Sequence, residues 1–230
     1  MSLKEEQTKK QKKPKKKRES NFFYDFVKIT GALPTWIWMR PKVVRLNKNV
    51  PKRVKGGVLI ASNHISFLDP VSVHCAFWYR RLYCIATKDL YDTPRKANFF
   101  NAMHCIMVDK DNFHMGSFRA VCDRLKQDKA VVIFPEGTVN REEKVQHYKS
   151  GAVVMAHMSR KPILPICLIK PKRWYNRYVI VIGEPIDVTK LCGTIPSMAE
   201  IDEASKYIRK REAELLEFYQ NRKKNKEDKK

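Results

Sequence analysis

The sequence predicts an α/β fold: a single domain built on a largely parallel mixed sheet flanked by helices, preceded by an N-terminal interfacial helical segment. Three observations predict it. Short apolar runs of strand length alternate with amphipathic stretches of helix length from residue 57 to residue 224. The 230 residues suit one domain with a substantial core. Ahead of the alternation stand a lysine-rich tail and an aromatic stretch of different character.

Residues 1–20 hold nine Lys/Arg against three Glu, a charge of +6, and read as a basic disordered tail. Residues 21–39, "NFFYDFVKITGALPTWIWM", are aromatic but interrupted by Asp25, Lys28, Gly31 and Pro34. They fall short of the roughly 20 predominantly apolar residues that a membrane-spanning helix needs. Phe22, Phe23, Phe26, Ile29 and Leu33 share one helical face, and Trp36 and Trp38 suit a membrane–water boundary. Two readings stand. Residues 21–46 form a membrane-interfacial segment with Arg40, Lys42 and Arg45 at headgroup level, or the stripe packs inward as a first core helix.

Residues 47–220 carry the domain. "GVLIASN" is a strand, "DPVSVHCAFWYR" a helix, and "RLYCIAT" a second strand. "PRKANFFNAM" is helical or irregular, and "HCIMVD" a short strand. In "NFHMGSFRAVCDRLKQDK", Phe118, Val121, Cys122 and Leu125 recur at helical spacing. "AVVIFPEGT" is a buried strand ending in a turn. A helix over "KSGAVVMAHMSR", strands over "PILPICLIK" and "RYVIVIGEPI", and a long helix from Ser197 complete the domain. Residues 221–230 form a second basic tail of charge +4.

The formal charge is +23, and removing both tails leaves +13 on residues 21–220. A body this basic attracts anionic membrane surfaces, phosphorylated substrates or nucleic acid, but no recognisable nucleic-acid module accompanies it. The six cysteines never approach closer than nine residues and follow no apolar leader, so they read as reduced cytosolic thiols. His74, His104, His114, His147 and His157 share no metal-ligand spacing.

Two stretches carry chemistry, and in a parallel sheet both fall at carboxyl ends of strands, where sites collect. In "SNHISFLDP", His64 is followed five residues later by Asp69. Imidazole accepts and releases protons near neutrality, and a carboxylate on one ring nitrogen leaves the other as base. Asp69 equally suits a helix cap, with Pro70 in the first turn. In "FPEGT", residues 134–138, Pro135 stiffens a strand exit, Glu136 projects, and Gly137 lets a ligand approach the backbone. An ordinary glycine turn is the competing reading.

Together these stretches resemble the glycerolipid acyltransferase family, in particular the 1-acyl-sn-glycerol-3-phosphate (lysophosphatidic acid) acyltransferases. Asn63, His64 and Asp69 match its N-H-x-x-x-x-D block, and Phe134 through Thr138 its F-P-E-G-T-R block. Glu136 stands 72 residues after His64, in the family's order. "PILPICL", preceded by "KSGA" at 149–152, matches a later block. Two positions depart. Lys110 stands where arginine is usual, keeping the charge but losing the bidentate fork, and Val139 and Asn140 follow Thr138, so that Arg141 comes two positions late.

The resemblance implies a glycerol-3-phosphate acyltransferase-like fold and a membrane-associated enzyme on the cytoplasmic face. It implies acyl transfer from acyl-CoA or acyl carrier protein, as co-substrate, to a lysophospholipid hydroxyl. No cofactor, metal or nucleic-acid partner is expected. His64 is the implied base and Asp69 its orienting carboxylate. Lys110, Glu136, Gly137, Thr138 and Arg141 are the implied substrate-binding residues, with N–H groups near Gly137 on the oxyanion.

Overall fold

The computed structural model describes residues 21–39, 41–109, 115–140, 148–170 and 177–228. The elements are α1 (Asn21–Met39), β1 (Lys42–Arg45), β2 (Val58–Ser62), α2 (Asp69–Ala76), β3 (Leu82–Thr87), α3 (Pro94–Ala102) and β4 (Ile106–Val108). They continue with α4 (Met115–Lys126), β5 (Ala130–Ile133), α5 (Gly151–Ser159), β6 (Ile163–Ile169), β7 (Val179–Ile182) and α6 (Met198–Glu227). The strands form one sheet in the order β1-β7-β6-β2-β5-β3-β4. All neighbours are parallel except β6 and β7. This is the largely parallel mixed sheet that the alternation predicts.

Successive side chains of a strand face opposite sides, so the central strands feed two cores. Leu59, Ala61 and Val131 pack with Val121, Ala156 and Ile208 from α4, α5 and α6. Val58, Ile60 and Val132 pack with Val73 and Phe77 around α2. Each fully buried large aliphatic side chain contributes about 1.5–3 kcal/mol. The rigid centre this creates holds the site. Strands β2 and β5 pair in register from Val58↔Ala130 to Ala61↔Ile133. Their exits therefore lie side by side, which brings together two motifs far apart in sequence.

Residues 42–45 differ from the sequence reading, which places them at headgroup level. They form an edge strand, with Lys42↔Val179 and Arg45↔Ile182 as partners. The Arg45 guanidinium donates to the carbonyls of Pro51 and Lys52.

Helix α1 docks on the core, but through a face other than the aromatic stripe, so the inward-packing reading of the stripe is corrected. Tyr24 is fully buried, and its hydroxyl accepts the Leu82 N–H at 2.9 Å. Its ring stacks on His104, which stacks in turn on Tyr83. Asp25 pairs with Arg81, and Lys28 donates to the Arg80 carbonyl. The aromatic stripe faces outward: Phe22 is 80% exposed, Ile29 74% and Trp38 68%.

The 1–20 tail lies outside the described residues. The basic stretch from residue 221, read in sequence as a solvated tail, continues α6 to Glu227 with residues 221–225 exposed.

Candidate active site

Strand β2 leaves the sheet between β5 and β6 at Ser62. The next residue, Asn63, is a latch: its side-chain amide donates to the Leu168 carbonyl at 2.9 Å, and its carbonyl oxygen accepts the Leu168 N–H at 2.7 Å. With the strand exit clamped to β6, the following residue has a fixed origin.

That residue is His64, whose Nδ1 lies 2.8 Å from Asp69 Oδ2. The same oxygen accepts the N–H groups of Ile65 at 2.6 Å and Ser66 at 2.7 Å. Asp69 is fully buried. A carboxylate only accepts, so the imidazole proton sits on Nδ1 and Nε2 keeps its lone pair. The ring stacks on Phe134, with centroids 4.3 Å apart.

The capping reading of Asp69 is corrected by this geometry. Helix α2 begins at Asp69, its cap position is Leu68, and no side chain caps it. The carboxylate points back to the loop instead, because three N–H donors converge there.

The 134–138 turn closes through Gly137 N–H to the Phe134 carbonyl at 3.0 Å. Gly137 has φ +73°, a left-handed conformation that L side chains avoid. Beyond the turn, the Asn140 N–H donates to the carbonyl of His64 itself at 2.6 Å, so the two motifs are bonded to one another. The Lys149 N–H donates to the Pro135 carbonyl at 3.0 Å, tying the turn to the start of α5. Gly137's own N–H is consumed in the turn and is not a free oxyanion donor. The Thr138 N–H makes no hydrogen bond among the described residues.

His64, Gly137 and Thr138 line a cavity of about 730 Å³. From the turn it extends past Val71 and Trp78 to Phe99 and to Gly31 and Thr35 on the inner face of α1, and its wall is mainly apolar. Glu136, predicted to project toward substrate, does not line it. Its side chain is buried behind the turn, 6% exposed, where its charge acts on Cys167 and Glu212. Burial and then the Glu136 charge push the Cys167 thiol up to about 12. Lys110 and Arg141, also implied by the resemblance to bind substrate, lie outside the described residues.

Glu212 escapes the sequence reading. On α6 the buried residues Ile201, Ala204, Ser205, Ile208, Glu212 and Leu215 follow helical spacing. A carboxyl occupies a stripe position that suits leucine, and this interruption was the available signal. Neither Glu212 oxygen hydrogen-bonds to a described residue. Burial, then the charge of Glu136, holds its pKa well above the ordinary 4.5; the nearby Asn63 N–H, which falls short of a hydrogen bond, opposes this only in part.

An apolar cavity ending at a carboxylate-held imidazole suits proton transfer on a lipid-like substrate. The chain belongs to the Acyltransferase family, whose family model matches residues 42–169. Among its relatives is the 1-acyl-sn-glycerol-3-phosphate acyltransferase of Bacillus subtilis, 27% identical over 162 residues, covering 68% of this chain and 79% of that one. A probable 1-acyl-sn-glycerol-3-phosphate acyltransferase of Mycoplasma pneumoniae is 32% identical over 152 residues, covering 63% of this chain and 56% of that one. The crystal structure of the 1-acyl-sn-glycerophosphate (LPA) acyltransferase PlsC from Thermotoga maritima superposes with a TM-score of 0.59. At 20% identity it covers 85% of this chain and 79% of its own, and the likeness is one of fold.

Proposed function

We propose that this protein transfers a fatty acyl group from acyl-CoA or acyl carrier protein to the free hydroxyl of 1-acylglycerol-3-phosphate, giving phosphatidic acid. The observation that carries the reading is His64, held by Asp69, at the turn-lined end of the apolar cavity. The relatives named for this activity support the acceptor.

His64 Nε2 takes the acceptor hydroxyl proton as that oxygen attacks the thioester carbonyl. Collapse of the tetrahedral intermediate breaks the carbon–sulfur bond, and the thiolate leaves with the proton from the imidazolium. The Asp69 carboxylate keeps Nδ1–H in place and stabilises the transient cation. The Thr138 N–H is the backbone donor for the oxyanion. The acyl chain lies in the apolar cavity, with no cofactor in the sequence of steps.

The partner surface is an anionic membrane on the cytoplasmic side. A surface helix ordinarily turns its apolar face inward, whereas α1 turns Tyr24, Lys28, Gly31 and Thr35 inward and exposes Phe22, Ile29, Trp36 and Trp38. Among the described residues no helix is long and apolar enough to cross a membrane, which fits a helix lying in the interface.

The test is purified protein with labelled acyl-CoA and a panel of lysolipids. Product with 1-acylglycerol-3-phosphate is expected. Product only with other lysophospholipids would move the reading to a different acceptor, and no product with either thioester carrier would defeat it.

A further inference from the structure

Building on that proposed reaction, we infer that Lys149 is the residue that holds the phosphate monoester of the acceptor. Three observations converge on this side chain. Its Cε and Nζ lie 3.3 Å from where a Cβ on Gly137 would stand, so the lysine covers the glycine of the 134–138 turn. Its backbone is fixed to the same turn through the Pro135 carbonyl. It lines the cavity together with His64 and Thr138.

Charge selects an anion as its ligand. Among the described residues lining the cavity, two are lysines, Lys28 and Lys149, and none is a carboxylate. Lys28 belongs to α1, and its ammonium already donates to the Arg80 carbonyl at 3.1 Å. The Lys149 ammonium makes no ion pair or hydrogen bond among the described residues, and the residue is exposed. An ammonium placed in this way binds phosphate as a point charge.

Chemistry separates the acceptor's phosphate from those of the donor. In 1-acylglycerol-3-phosphate the reacting hydroxyl and the phosphate stand on adjacent carbons, so a cation beside the catalytic turn is within reach of both. In acyl-CoA the phosphates are separated from the thioester by the whole pantetheine arm. Lys149 therefore also sets specificity, favouring lysolipids with a terminal phosphate over uncharged monoacylglycerol.

The experiment compares wild type with Lys149→Ala and Lys149→Arg, the folding of each checked by its thermal midpoint. Lys149→Ala is expected to raise the KM for 1-acylglycerol-3-phosphate about 10- to 100-fold, the worth of one hydrogen bond between charged groups. It leaves the KM for acyl-CoA unchanged, and Lys149→Arg restores most of the loss. An unchanged acceptor KM would overturn the assignment, and so would a rise confined to the acyl-CoA KM, which would make the phosphate the donor's. A second readout does not use turnover. Calorimetric binding of glycerol 3-phosphate should weaken by at least about fivefold in Lys149→Ala, and equal binding by both proteins would overturn the inference. No turnover by wild type would instead defeat the acyl-transfer reading, leaving the binding result to decide the role of Lys149.

Discussion

The head of α2 and the middle of α6 each bury a carboxyl completely, and they accommodate it in opposite ways. At Asp69 one oxygen accepts three N–H donors, from the His64 ring and from the backbone of Ile65 and Ser66. At Glu212 neither oxygen has a hydrogen bond to a described residue, and the neighbouring charge is the like one of Glu136. Burial alone does not decide what a carboxyl does; the donors gathered around it do. Asp69 fixes the orientation of the His64 ring. At Glu212, burial and the Glu136 charge both disfavour the ionised form.

The comparison can be broken at Asp69 with the largest effect. Asp69→Ala orphans the Ile65 and Ser66 N–H groups and frees the His64 ring, so unfolding should cost about 2–4 kcal/mol less. Asp69→Asn offers an amide in place of the carboxylate; transfer should fall about 100-fold or more through loss of the tautomer, measured as kcat/KM. Wild-type rates in Asp69→Asn would remove the orienting role.

Glu212 should respond in the opposite direction. Its folded pKa is raised, so the unfolded chain releases the proton first and wild-type stability falls as pH climbs from about 4.5 toward the folded value. Glu212→Gln cannot ionise. Thermal unfolding from pH 5 to pH 8 should show the variant gaining on wild type as pH rises. Parallel curves would mean that Glu212 is ionised in the folded protein.

Asp25 supplies the smallest effect and the scale for the other two. It meets Arg81 on the surface, and that hydrogen-bonded pair lowers its pKa. Solvent screens such a pair, so Asp25→Asn should change stability by under about 1 kcal/mol in chemical denaturation. A larger loss would mean that the docking of α1 depends on this contact.

The sheet was legible because each central strand is a short apolar run bounded by helical patterning. Strand β1 was not, since "KVVR" is four residues with a charge at each end and its partner, β7, is far along the chain. The His64–Asp69 relation was legible because five residues span it. Glu136 was misplaced because the direction of a turn side chain depends on φ at Gly137 and on what lies behind the turn, here Cys167 and Glu212. Lys149 precedes α5 within the "KSGA" stretch, and Glu212 lies on α6; their positions around the 134–138 turn are set by tertiary packing, which a local pattern does not give.

The central claim is that His64 acts as the base of an acyl transfer, and it is tested most directly by comparing wild type with His64→Ala. Both proteins would be given labelled acyl-CoA and 1-acylglycerol-3-phosphate in the same vesicles, with kcat as the quantity measured. The account predicts a fall of about 10²- to 10⁴-fold with the thermal midpoint preserved. A kcat within about threefold of wild type would contradict it, because that loss is far below the roughly 10²- to 10⁴-fold that a general base typically contributes.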